Sequence, residues 1–298
     1  MFDQIALGGI GFAVLAAAAY GFAGVAIAQG KPVARGDNGV YLSALVTALG
    51  TGLLWMGFGR VQLARLLDPG SVGTVAIFAA AGVFSTVLGR ATLYRATERI
   101  GAVRASLLRR LTPVFTLPLA LLLLAEVPGP RALVGAAIVL VAVLIYQGGP
   151  GREVWDRAGF WIGIGSAAVY ASAYVLRRLG LETLPDPLLG TFIGALVGCL
   201  WFPLAALAGR ARGARLRRLL ADRGRWQWAA AGALAVGQVC QFAALAAIPA
   251  VVVACLGTLE VFFAALLWGL FGHGLSVAPA RFAFTLILAA GGTVLLLD

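Results

Sequence analysis

Arg90, Arg109, Arg110 and Glu260 stand inside long runs of apolar residues, where a charge has few uses. At the centre of a hydrocarbon layer such a group costs at least about 2.5–3.5 kcal/mol. It is kept where it meets an opposite charge, a polar cavity or a ligand. Arginines held together grip a carboxylate or phosphate through forked hydrogen bonds. A glutamate beside them neutralises one arginine, binds an amine or carries a proton. The opposing reading is a structural Arg–Glu pair, with another arginine reaching to the layer's edge. Gln238 and Gln241 share one face of a helix at i and i+3, suited to binding a ligand or bridging helices. Tyr20, Tyr170 and Tyr174 offer hydroxyls and rings for a cavity wall or for plain packing. Tyr94 follows Arg90 by one turn and joins its face. His273 is the sole histidine, and Cys199, Cys240 and Cys255 lack ligand-like spacing. Neither a metal site nor a cofactor site is expected, and no catalytic group is assigned.

The elements that position these residues follow from composition. Hydrophobic residues are 61% of the chain and charged residues 12%, against roughly 45–50% and 25% in soluble domains. A water-soluble surface cannot hide that much apolar side chain, whereas a bilayer can. A helix needs about 20 apolar residues to cross it. Apolar runs fall near 5–29, 39–59, 71–97, 102–125, 131–148, 158–179, 187–209, 226–247, 249–272 and 279–297, broken by proline, glycine and charge. The expectation is an all-α integral membrane protein with ten transmembrane helices. The first run lacks a basic leader and is too long for a signal peptide. Much of the net charge of +11 lies in residues 210–225. That loop is expected to carry a short interfacial helix against anionic lipid, and nucleic acid is not an expected partner. Trp226 and Trp228 suit the interfacial belt.

Within these runs, Arg90 lies roughly 10 Å from the end of the third, and Arg109 and Arg110 at similar depth in the fourth, at 1.5 Å per residue. Adjacent residues of a continuous helix point about 100° apart, so Arg109 and Arg110 are expected to face different surfaces. Pro113 cannot donate to the carbonyl of Arg109, and a kink is predicted there. Glu260 falls near the centre of the ninth run.

The chain also repeats itself. A shift of 150 places Phe12 to Tyr20 on Ile162 to Tyr170, and Arg131 on Arg281. A shift of 147 places Pro113 on Glu260 and Glu126 on His273. Two halves are expected, residues 1–149 and 150–298. Five spans in each force the halves into opposite orientations, the 5+5 inverted repeat of secondary transporters, whose substrates bind at mid-membrane.

The stretch from Ile100 through Ser106, Pro113 and Phe115 to Glu126, followed by Arg131 and Gly135, resembles the EamA repeat of the drug/metabolite transporter superfamily. The second half is similar but altered, with Leu259, Glu260, Val261 and Phe262 lacking the proline, and Gly272-His273 where Gly-Glu is expected. The resemblance implies a multi-pass metabolite transporter of the bacterial inner membrane, working by alternating access as a monomer or homodimer. It leaves the substrate open, and the arginines favour an anionic or zwitterionic metabolite, amino-acid-like among the choices. A lipid flippase on the same fold is the nearest alternative. An intramembrane enzyme is disfavoured, because Gly163-Ile-Gly-Ser166 lacks the order a serine protease needs. The resemblance implies cytoplasmic termini. The loops after odd-numbered spans nonetheless hold about 15 Lys/Arg against about five elsewhere, which argues the reverse by the positive-inside rule.

Overall fold

In hydrocarbon the backbone has only itself to bond with, so a chain this apolar must be helical. The computed structural model describes residues 2–66, 68–100, 105, 108–147, 156–208, 211–273 and 278–295, whose regular structure is all helix. Among the described residues, seven helices are long and apolar enough to span a membrane, and three more apolar helices are shorter. We label the helices α1 (Phe2–Gly30), α2 (Val40–Phe58), α3 (Pro69–Gly82), α4 (Arg90–Ile100), α5 (Thr112–Leu124), α6 (Pro130–Gln147), α7 (Arg157–Thr183), α8 (Pro187–Leu207), α9 (Arg212–Leu219), α10 (Arg225–Ala247), α11 (Ala250–Gly257), α12 (Glu260–Trp268) and α13 (Pro279–Leu295). A π-helical turn, Val83–Gly89, joins α3 to α4. The exposed, arginine-rich α9 occupies the 210–225 loop.

Packing follows small residues and aromatic plugs. α1 lies against α10 and α12, α7 against α3, α4 and α5, α2 against α8 and α10, and α6 against α13. Phe78 and Phe242, both fully buried, fill the centre with ring centroids 6.0 Å apart. At the α6–α13 crossing, a Cβ on Gly135 would lie 2.6 Å from the carbonyl oxygen of Gly292. Only glycine permits that approach, which supplies contact where lipid offers no hydrophobic drive. Large side chains such as Met56, Phe58, Leu122 and Ile287 point outward, as a bilayer-facing surface requires.

Two aspartates hold the loops at opposite ends of α2. Asp186, 1% exposed, accepts from the backbone N–H groups of Arg60 (2.7 Å), Val61 (3.0 Å), Leu188 (3.0 Å) and Leu189 (3.1 Å). Asp222 accepts from those of Arg35 (2.6 Å), Gly36 (2.8 Å) and Asn38 (2.7 Å). Each carboxylate satisfies donors that burial would otherwise leave unpaired.

The fourth and ninth runs are not continuous helices. The first breaks at Arg110–Leu111 and restarts as α5, and the second breaks at Thr258–Leu259 and restarts as α12. At each break a threonine hydroxyl bonds the carbonyl three residues back: Thr112 to Arg109 at 2.6 Å, and Thr258 to Cys255 at 2.6 Å. The kink expected at Pro113 is thus a fresh helix start. Pro113 sits in the first turn of α5, where its missing N–H costs nothing.

Candidate functional site

The two breaks face one another and set the geometry of the site. Because the chain leaves helical conformation after Arg109, the neighbouring side chains are not constrained to diverge. Both reach the same atom. Arg109 Nη2 lies 2.5 Å and Arg110 Nη1 2.7 Å from Oε1 of Glu260. Divergence of Arg109 and Arg110, expected for an unbroken helix, is therefore corrected by the break itself. Glu260 opens α12, and α1 presses close behind it: a Cβ on Gly21 would stand 2.8 Å from the Glu260 carbonyl oxygen. A larger residue there must displace the segment that carries the carboxylate. Arg110 is buried, and its Nε has no partner among the described residues.

These groups line a cavity of about 360 Å³ that reaches from Glu260 to Asp37, Asn38 and Gly39 in the loop before α2. Tyr20, Arg90, Arg109, Arg110, Tyr170, Tyr174, Gln238, Gln241 and Glu260 all face it, so the structure brings nine of the sequence-derived candidates to one chamber. The Tyr94 side chain lies outside the described residues. Arg90 follows directly on the π-helical turn, a distortion often found at functional sites. Arg109 lies over the ring of Tyr170 at 5.6 Å, a favourable cation–π distance.

Gln241 organises the far wall. Its Oε1 accepts from Arg177 and, at 3.4 Å, from the Tyr20 hydroxyl, and its Nε2 donates to the Tyr174 oxygen at 2.6 Å. One amide thereby ties α1, α7 and α10 and orients two cavity hydroxyls. Arg177 was not among the sequence candidates. Its run ends near residue 179 in the sequence, where an arginine reads as interfacial, but α7 continues to Thr183 and draws it inside. The signal was present in spacing: Tyr170, Tyr174 and Arg177 fall at i, i+4 and i+7, one stripe of a helix.

Glu126 forms a separate centre. Its Oε1 accepts from Arg178 Nε at 2.7 Å, and its Oε2 accepts from the backbone of Ala250 at 3.0 Å, where α11 begins. Arg178 also donates to the carbonyl of Leu245 at 2.7 Å. The expectation of local pairing changes in one respect, because the partners come from α7 and α11.

Residues 7–147 match the profile described as the EamA-like transporter family. No curated protein matches the chain. A solved structure described only as "Crystal structure of protein" is similar over 99% of this chain and 97% of that chain, with a TM-score of 0.71 and 16% identity. That likeness establishes a shared fold.

Proposed function

We propose, starting from a chain whose residues 7–147 belong to the EamA-like transporter family of the drug/metabolite transporter superfamily, that this membrane protein carries a small organic anion by alternating access. On this reading ten spans form two inverted repeats, 1–149 and 150–298. Helix pairing supports it. Under exchange of the halves, α1 against α10 corresponds to α7 against α3 and α4, and α1 against α12 corresponds to α7 against α5; α2–α8 and α6–α13 map onto themselves. The threonine-stabilised breaks and the aspartates at the starts of α2 and α8, Asp37 and Asp186, recur likewise. Alternating access follows when two such halves exchange conformations.

The observation that carries the cargo class is Arg109 and Arg110 sharing one carboxylate, with Arg177 lining the same cavity. Arg110 and Arg177 are 7% and 8% exposed. A lipid flippase needs its cationic groups on a face open to the bilayer, so this enclosure favours a small hydrophilic anion, or a zwitterion bound through its carboxylate. The setting is a bacterial inner membrane, with the bilayer as the protein's other partner.

Flux into proteoliposomes, measured with a panel of anionic, zwitterionic and cationic metabolites, tests the assignment. The expected result is uptake of carboxylate-bearing members. Uptake confined to cations would overturn it.

A further inference from the structure

Charge in the cavity does not balance. Arg109 and Arg110 share a single oxygen of Glu260. Arg177 has no carboxylate partner among the described residues; the neutral amide of Gln241 and the ring of Phe242, 5.0 Å away, are what hold it. With Arg90 and Asp37 also in the lining, four guanidinium groups meet two carboxylates, leaving an excess of two positive charges. Uncompensated charge in a poorly solvated site is expensive, because the lost hydration is not returned by a partner. The occupant that completes this site brings two negative charges.

Their spacing can be read from α7. Arg109 stacks on Tyr170, and Arg177 lies seven residues further along the same stripe, roughly 10 Å of helix rise. The two cationic poles thus rest on different partners, Glu260 and Gln241, and meet the α7 stripe about two turns apart. A cavity of about 360 Å³ falls at the small end of the roughly 300–1,000 Å³ of small-molecule sites, which is room for a short chain molecule. Tyr174 stands between Tyr170 and Arg177 on that stripe, and its hydroxyl accepts from Gln241.

We infer that the cargo, on the anion-transporter reading above, is a short dianion with its negative groups at opposite ends. One group takes Arg109 and Arg110 in competition with Glu260, and the other takes Arg177. Dicarboxylates and phosphorylated carboxylates of similar length share this chemistry.

The test is titration calorimetry on the full-length protein in lipid nanodiscs. The ligands are the saturated dicarboxylates of three to six carbons, the monocarboxylates of equal carbon number, and one phosphorylated carboxylate. At least one dianion should bind on the order of tenfold more tightly than its monocarboxylate counterpart. Arg177→Gln should reduce that ratio to near one, and Arg177→Lys should restore much of it. A phosphorylated carboxylate that outcompetes every dicarboxylate identifies the source of the second charge and supports the inference. Equal affinity for mono- and dianions in the unmodified protein overturns the dianion while leaving the anion reading standing. A preference that survives Arg177→Gln likewise overturns it. Binding of no anion at all removes both.

Discussion

Arg177 and Arg178 are neighbours on α7 and live in opposite circumstances. Arg178 has a carboxylate of its own: Nε meets Glu126, Nη1 meets the Leu245 carbonyl, and the second oxygen of Glu126 is taken by the Ala250 N–H. Both carboxylate oxygens are taken, and α7, α10 and α11 are tied to the segment that follows α5. Arg177, turned about 100° away, faces a cavity whose single deep carboxylate is already shared by Arg109 and Arg110. The contrast distinguishes two uses of charge within a membrane. On the proposed reading, a charge-balanced centre joins helices and an unbalanced one receives the ligand.

The sharpest way to break the contrast is to remove each carboxylate in turn. Glu260→Ala strands Arg109 and Arg110, and thermal unfolding in detergent should show a loss of about 3–5 kcal/mol, the usual cost of breaking a buried pair. Adding a bound dianion should recover part of that loss. Glu126→Gln keeps an acceptor but removes the charge facing Arg178, and the expected loss is smaller, about 1.5–3 kcal/mol. Added anion should not recover it. Equal recovery in both variants would erase the distinction between the centres.

A third carboxylate, Asp222, gives a smaller and pH-dependent effect. Burial pushes the Asp222 carboxyl upward, but the N–H groups of Arg35, Asn38 and Gly36 outweigh it and hold the group below the usual carboxylate range. A depressed folded value means that the stabilisation is complete above the unfolded value of about 3.9 and fades as pH falls through the folded one. Asp222→Asn should therefore cost about 1–3 kcal/mol at neutral pH. The gap to the unmodified protein should stay level down to about pH 4 and narrow below it. A gap that widens in acid contradicts the clamp.

How these centres relate to the sequence depends on what each residue bonds with. Arg109, Arg110 and Glu260 were legible because charge inside an apolar run demands a partner, and the repeat put Pro113 and Glu260 at one level. Tyr20 and Tyr170 were legible through the shift of 150, and both line the cavity. The shared grip on Glu260 was not, because it depends on a break in helical geometry. Pro113 hinted at the first break; the second has no proline and rests on the hydroxyl of Thr258. Asp186 and Asp222 left no pattern either, since they bond backbone N–H groups of distant loops, and any residue type supplies those. Arg177 was hidden by composition alone. Glu182 and the prolines at 185 and 187 dilute the end of its run, yet α7 stays helical past Glu182 to Thr183 and stops before the prolines.

The central claim is that the unbalanced cluster is where cargo binds. Its most direct test is the initial rate of anion uptake into proteoliposomes by the unmodified protein, Arg110→Ala and Glu260→Gln, at matched incorporation and with folding checked by monodisperse elution. Arg110→Ala should lose on the order of tenfold or more, equivalent to about 1.4 kcal/mol or more in cargo interaction, and Glu260→Gln should also change the rate, because it releases both arginines from their shared partner. Unchanged rates in both would contradict the account.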